Sequence, residues 1–255
     1  VSMALSSLVT ALFANSPSGV QGLPELPTTE VNRSWRWRVW KDTDPDRCGL
    51  LDWVFDGDTP TYEQWVDYAL DVPMFLLEKE GEIVDMAGRS FRTYAAQGAE
   101  GHQPVLDDWN LHLSTLFPDV RLKTYLEMRS ADCVPARLIP ALPALWKGLL
   151  YEGAALDAAW DLVKDWSFSE RLDHRERACV SGLSAEIPGK RYRTQALVQE
   201  LLAIARAGLP AEERSLLDEI DHIASSGRTL ADATLDWLQN GPRTREDLIE
   251  HYEQQ

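Results

Sequence analysis

Cysteine is scarce in this 255-residue chain. There are three, Cys48, Cys133 and Cys179, at unrelated spacings. That pattern excludes a disulfide framework and a four-ligand zinc motif. It fits a reducing compartment, and the expected location is the cytoplasm. Basic charge is also short: 25 Lys and Arg against 41 Asp and Glu leave a formal net charge of −16. A phosphate backbone attracts a basic face, so no nucleic-acid partner is expected, although Arg33 to Lys41 leaves a local basic site open. Long apolar runs are missing as well. No stretch approaches the ~20 residues that cross a bilayer, so no membrane partner is expected. Val1 to Ala14 is apolar but carries no basic leader segment, and it is not read as a signal peptide. What remains is ordinary for a globular protein, with 44% hydrophobic and 26% charged residues. The length suffices for one large or two small domains with a real core.

Periodicity divides the chain. Leu5, Leu8, Val9, Leu12 and Phe13 sit at helical spacing, so Met3 to Phe13 reads as a helix. Asn15-Ser16-Pro17 stops it, because a residue before proline avoids the α region. Ser18 to Asn32 reads as loop. Ser34 to Trp40 (SWRWRVW) alternates strictly, which predicts a half-buried strand. Its arginines either stack on tryptophan or bind an anion. Asp42 to Arg47 (DTDPDR) is an Asx-rich turn in which Asp44 and Arg47 can pair. Pro60 to Leu70 is an amphipathic helix, and Met74 to Leu77 with Ile83 to Met86 forms a hairpin around Gly81. Gly88 to Phe91 leads into a short helix or turn, and 96–104 is loop. Leu106 to Phe117 reads as a helix. Its His112 is more readily structural than a general base. Leu138 to Leu150 and Ala154 to Trp166 are helices with an apolar majority. After Ser167 come polar-faced amphipathic helices at Arg171 to Cys179, Thr194 to Ala207, Glu212 to Ser225 and Ala231 to Leu238.

The stretch Leu116 to Pro135 (LFPDVRLKTYLEMRSADCVP) concentrates the chemistry. Read as one strand over 121–129, it places Arg121, Lys123, Tyr125, Glu127 and Arg129 on one face. Val120, Leu122, Leu126 and Met128 take the other. Charge of both signs on one face is costly to bury unless paired, metal-bound or ligand-bound. A solvated edge strand is the plainer alternative.

FPDVRLKTYLEMRSAD resembles the signature of the plant- and proteobacterial-type glutamate–cysteine ligases, FPEVRLKxYLEMRGAD. Four further blocks match in the same order: TALFANSP (Thr10 to Pro17), WKDTDPDR (Trp40 to Arg47), WVDYALDVPM (Trp65 to Met74) and ALPALWKGLLY (Ala141 to Tyr151). The resemblance implies an α+β fold. A glutamine-synthetase-like antiparallel sheet, partial because the N-terminal part is missing, packs with helices and is followed by an all-helical C-terminal region. It divides the chain into residues 1–166, the C-terminal part of the catalytic domain, and residues 167–255, a helical region. The implied activity is ATP-dependent ligation of glutamate to cysteine through a γ-glutamyl phosphate, the first step of glutathione biosynthesis, with ATP and Mg²⁺ as cofactors. As a fragment, the chain is expected to be inactive alone. Glu127 is then a magnesium ligand. Arg129 and Arg36 contact substrate or the transferring phosphoryl group, with Arg36 on the glutamate side. Arg121 and Lys123 face the nucleotide phosphates, Trp40 and Thr43 wall the substrate pocket, and Asn15 lies at its rim. Asp132 is expected to orient Arg129. Two departures from the family pattern stand out: Trp37 replaces a small residue, and Ser130, Cys133 and Val134 replace glycines. An acidic helical adaptor and a ligase with another amine acceptor remain open alternatives. The residues carry no reading of oligomeric state.

Overall fold

The computed structural model describes residues 1–18, 31–57, 59–190, 192–240 and 244–254. The loop expected at Ser18 to Asn32 falls largely outside them. In order, the helices are α1 (Ser6–Leu12), α2 (Trp35–Lys41), α3 (Tyr62–Asp71), α4 (Phe91–Gln97), α5 (Leu106–Ser114), α6 (Ala141–Leu150), α7 (Gly153–Asp161), α8 (Phe168–Ser181), α9 (Thr194–Gly208), α10 (Asp218–Ser226), α11 (Leu230–Gln239) and α12 (Arg245–Glu253). The strands are short: β1 (Cys48–Gly49), β2 (Leu76–Lys79), β3 (Glu82–Asp85), β4 (Phe117–Pro118), β5 (Val120–Leu122) and β6 (Leu126–Met128). Among the described residues they form three two-stranded sheets: β1 with β4 in parallel, and β2 with β3 and β5 with β6 antiparallel. The chain is a mixture of helix and small sheets, consistent with an α+β class.

The chain divides into two compact units, Val1–Val39 with Ser130–Gln255, and Trp40–Arg129. This division differs from the expected boundary near 166. The reason lies in the packing of the first unit, where α8 and α9 lie against α1, and α9 also lies against α6 and α7. The late helices share one core with the earliest helix. Leu5, Leu8, Leu12, Leu145, Leu149, Val198 and Leu201 are all buried in it. Beside α1, the fully buried His174 bonds through Nδ1 to the Ser7 hydroxyl at 2.7 Å and through Nε2 to the Thr194 hydroxyl at 2.8 Å.

The second unit has its own core of Met74, Leu77, Met86, Phe91 and Tyr94. Helix α3 begins as its sequence suggests: the Thr61 side chain accepts from Gln64 N–H, and the Gln64 side chain accepts from Thr61 N–H. The hairpin appears where expected. Its two-residue turn, Glu80-Gly81, has φ of 54° and 84°, the left-handed pair that matches strand twist. Beneath it the buried Asp108 accepts from Lys79 at 2.6 Å and from the Tyr94 hydroxyl at 2.7 Å.

Two expectations are corrected. Ser34 to Trp40 is helical from Trp35, not a strand. Its first-turn amides are satisfied from a distance: Trp35 N–H donates to the Ser16 carbonyl at 2.7 Å, and Arg36 N–H donates to the Ser16 hydroxyl at 3.0 Å. Trp37 turns inward under the Arg175 guanidinium, 5.0 Å from its ring. The second correction is at 121–129, which is a hairpin rather than one strand. Leu122 pairs with Leu126, and Lys123, Thr124 and Tyr125 make the connection.

Candidate functional site

The hairpin changes how the charged residues meet. Arg121 and Glu127 are direct cross-strand partners, and directly opposed residues share a face. Arg121 forks onto Glu127 Oε2 through Nη2 at 2.6 Å and Nε at 3.1 Å. Its Nη1 donates to the carbonyls of Ser114 and Leu116 at 3.0 and 3.1 Å. Arg129 Nη1 donates to Glu127 Oε1 at 2.7 Å, and its N–H donates to the Asp119 carbonyl at 2.9 Å, which extends the hairpin ladder. Lys123 Nζ stands 3.5 Å from Oε2. One carboxylate is thus shared by three cations.

Aromatic rings form the floor. The Trp40 and Phe117 centroids lie 5.3 Å apart, and the Arg129 guanidinium sits 5.4 Å from Trp40 and 5.3 Å from Phe117. Phe117 was missed as a site residue. Its only signal was its place at the head of the FPDVRLK block. Phe117 N–H donates to the Arg47 carbonyl at 2.8 Å. Arg47 is buried, paired with Asp44 at 2.6 Å as its turn suggested, and lies over the Phe75 ring at 3.5 Å. This buried arginine anchors the turn that carries Thr43, which is exposed.

Partial burial works to raise the Glu127 pKa, but the bonds from Arg121 and Arg129 outweigh it and hold the carboxyl down at about 2. Glu127 is therefore ionised at any physiological pH. The local sum is +2: three cations less one carboxylate. A carboxylate has about four lone-pair positions, and three of them receive guanidinium N–H groups. Among the described residues no group of three His, Cys, Asp or Glu side chains could hold a metal ion. As bonded here, Glu127 keeps about one lone-pair position open and does not by itself make a magnesium site. The two arginines and the lysine carry donors of the kind that a phosphate or carboxylate takes.

In the first unit, Asn15 is buried. Its N–H donates to Asp132 Oδ2 at 2.8 Å and its Nδ2 donates to the Cys133 carbonyl at 3.0 Å. Asp132 does not take the expected role toward Arg129. Its carboxylate accepts from Asn15, from the Ser16 hydroxyl at 2.7 Å and from the Ser34 hydroxyl at 2.9 Å. Burial raises its pKa against those bonds and against the Arg36 charge. Cys133 and Val134, which replace family glycines, need no left-handed backbone: among the described non-glycine residues only Glu80 and Glu100 have positive φ. In the second unit His112 is buried on α5, bonded through Nε2 to the Ala69 carbonyl at 2.7 Å and stacked on Phe91. Burial lowers its pKa, so it stays neutral and structural.

The chain is thus an α+β protein in which two arginines and a lysine meet one carboxylate of a short hairpin. Its family follows from its relatives. The family model described as Glutamate-cysteine ligase family 2(GCS2) matches residues 1–254. The chain is 40% identical over 258 residues to the chloroplastic glutamate–cysteine ligase of Arabidopsis thaliana, covering 97% of this chain and 48% of that protein. Against the chloroplastic glutamate–cysteine ligase A of Oryza sativa subsp. indica it is 41% identical over 239 residues, 91% and 47% respectively. Against the chloroplastic enzyme of Medicago truncatula it is 38% identical over 258 residues, 97% and 49%. The chain belongs to the glutamate–cysteine ligase family, and it spans about half the length of the curated relatives it matches. The expected cytoplasmic location is contradicted by these relatives, whose names are chloroplastic. Unpaired cysteines indicate reducing conditions and do not say which compartment supplies them.

No helix among the described residues is long and apolar enough to cross a membrane.

Proposed function

We propose that this chain contributes anion-holding residues to an ATP-dependent ligase that joins the γ-carboxylate of glutamate to the amine of cysteine. The observation that carries the reading is the cluster around Glu127, which places three cations in the signature block of a ligase family. The chemistry needs such a face. A γ-carboxylate oxygen attacks the terminal phosphorus of ATP, and ADP leaves. The cysteine nitrogen then attacks the acyl carbon, loses a proton, and phosphate departs with the carbon–oxygen bond electrons. Negative charge grows on the transferring phosphoryl oxygens and again on the leaving phosphate, and fixed cations stabilise both.

Arg129 is the group for those oxygens. Arg121 and Lys123 belong to the nucleotide-phosphate side, and the bonds of Arg121 to Glu127 and two carbonyls keep it pre-oriented. In this reading Glu127 is the anchor that aims both guanidiniums, the role its three accepted bonds favour over metal binding. Trp40 stiffens Arg129 by ring contact, and Thr43 lies beyond it on the exposed turn. In the first unit, Arg36 takes a glutamate carboxylate and Asn15 forms part of the rim. The β5–β6 hairpin is read as a piece of a larger, glutamine-synthetase-like antiparallel sheet. A two-stranded ribbon is marginal by itself.

The test is product formation. Full-length gene product, supplied with glutamate, cysteine, ATP and magnesium salt, is expected to form γ-glutamylcysteine, detected by mass. The 255-residue chain alone is expected to form none above background. Product with another amine but not with cysteine would move the reading to a different acceptor. Turnover by the isolated chain would overturn its fragment character.

A further inference from the structure

Within the first unit, Ser130, Asp132 and Cys133, at the end of the signature block, each bond to residues near the start of the chain. The Thr10 hydroxyl donates to the Ser130 carbonyl at 2.9 Å. Asp132 then gathers three donors: Asn15 N–H, the Ser16 hydroxyl and the Ser34 hydroxyl. The Cys133 carbonyl accepts from Asn15 Nδ2. Asp132, Asn15 and Ser34 are buried and Ser16 is half-buried, so solvent has little access to these bonds. They lead in one direction. Ser16 receives Arg36 N–H on its hydroxyl and Trp35 N–H on its carbonyl. Ser34 immediately precedes Trp35. The two serines that hold Asp132 are therefore the residues that start α2, whose second residue is Arg36.

We propose that Asp132 is a positioning residue for Arg36: through Ser16 and Ser34 it fixes the first turn of α2 and so the direction in which the Arg36 guanidinium leaves the helix. The inference rests on the reading above of Arg36 as the contact for a glutamate carboxylate. It explains why a carboxylate, not an amide, suits position 132. All three of its partners point hydrogens at it, and an ionised carboxyl is an acceptor only. An amide offers one acceptor oxygen where the carboxylate offers two, so the Ser34 hydroxyl could no longer donate to position 132. Without these bonds the Trp35 and Arg36 N–H groups would be less firmly held on Ser16, and the start of α2, with Arg36 on it, would be less well defined.

The experiment is a double-mutant cycle on the full-length gene product, reading KM for glutamate, KM for ATP and kcat. Asp132→Asn is expected to raise the glutamate KM about tenfold and to leave the ATP KM within about twofold. Arg36→Ala is expected to raise the glutamate KM by at least as much. The double variant should match Arg36→Ala alone, because a lost direction costs nothing once the guanidinium is gone. Multiplying effects, or an Asp132→Asn enzyme with normal glutamate KM, would overturn the positioning role and leave the Arg36 reading intact. An Arg36→Ala enzyme with normal glutamate KM would remove both. Should Asp132→Asn fail to fold, Ser16→Ala deletes only the hydroxyl between Asp132 and Arg36 N–H. It should shift the glutamate KM the same way, and should add nothing to Arg36→Ala. Normal glutamate KM in Ser16→Ala would equally overturn the proposal.

Discussion

Gly148→Ala is expected to lower the thermal midpoint of this chain by about 6 °C, the larger of the two stability effects at neutral pH. Gly148 is buried in α6, and a Cβ built on it would overlap the backbone carbonyl oxygen of Ala205 in α9. The contact is reciprocal: a Cβ on Gly208 would overlap the Gly148 carbonyl oxygen and press on Ala155. Two helices cross here backbone to backbone, so neither obstacle is a side chain that can rotate away. Overpacking costs about 3 kcal/mol at the upper end of its usual range, and the better helix propensity of alanine offsets about 1 kcal/mol. The net loss of about 2 kcal/mol corresponds to about 2–4 °C for each kcal/mol in a chain of this size. Gly153→Ala is the control. Its Cβ would meet nothing within 4 Å, and its midpoint should stay level or rise. Equal midpoints for Gly148→Ala and the parent would contradict the close crossing.

Acid should destabilise the chain through His174, and His174→Gln should remove that sensitivity. Burial drives the His174 pKa from 6.5 down to about 4; the Asp173 charge acts against it and the Arg177 charge acts with it. The sign follows from proton uptake. Between pH 6.5 and 4 the unfolded chain binds a proton at this position and the folded chain does not. Stability is therefore fully present above 6.5 and is lost as pH falls toward 4. The accumulated loss is about 3 kcal/mol. Bonds to Ser7 and Thr194 and edge contact with Trp166 leave no room for a second ring proton to find water. Urea midpoints measured from pH 7.5 to 4.5 should fall less steeply for His174→Gln than for the parent. Parallel slopes would show that His174 titrates at its ordinary value.

Much of this was legible in the sequence, and the exceptions have physical causes. Helices α3 and α9 show both an apolar period and end signals, and they lie where the pattern puts them. Helix α2 was hidden because strict alternation of Trp and Arg mimics a strand, while the bonds that decide the matter come from Ser16, far upstream. The turn at 123–125 was hidden because Lys-Thr-Tyr contains no glycine, proline or asparagine. Yet Arg121 and Glu127 were correctly placed on one face, since a hairpin that pairs them preserves the alternation a single strand would have given. The partners of Asp132 were unreadable for a different reason. They lie more than ninety positions away, and no local period encodes a contact of that range. Helix α12 was missed because its nine residues carry little apolar content, although Thr244 caps it in the ordinary way.

The most direct measurement is cysteine-dependent phosphate release by full-length gene product, comparing Arg129→Ala and Glu127→Gln with the parent under saturating ATP, magnesium salt and glutamate. If the arginine cluster holds the transferring phosphoryl group, Arg129→Ala should lower the rate by about a hundredfold or more. Glu127→Gln, which loosens both guanidiniums without removing either, should lower it less. A folded Arg129→Ala protein that releases phosphate within about twofold of the parent would contradict the assignment.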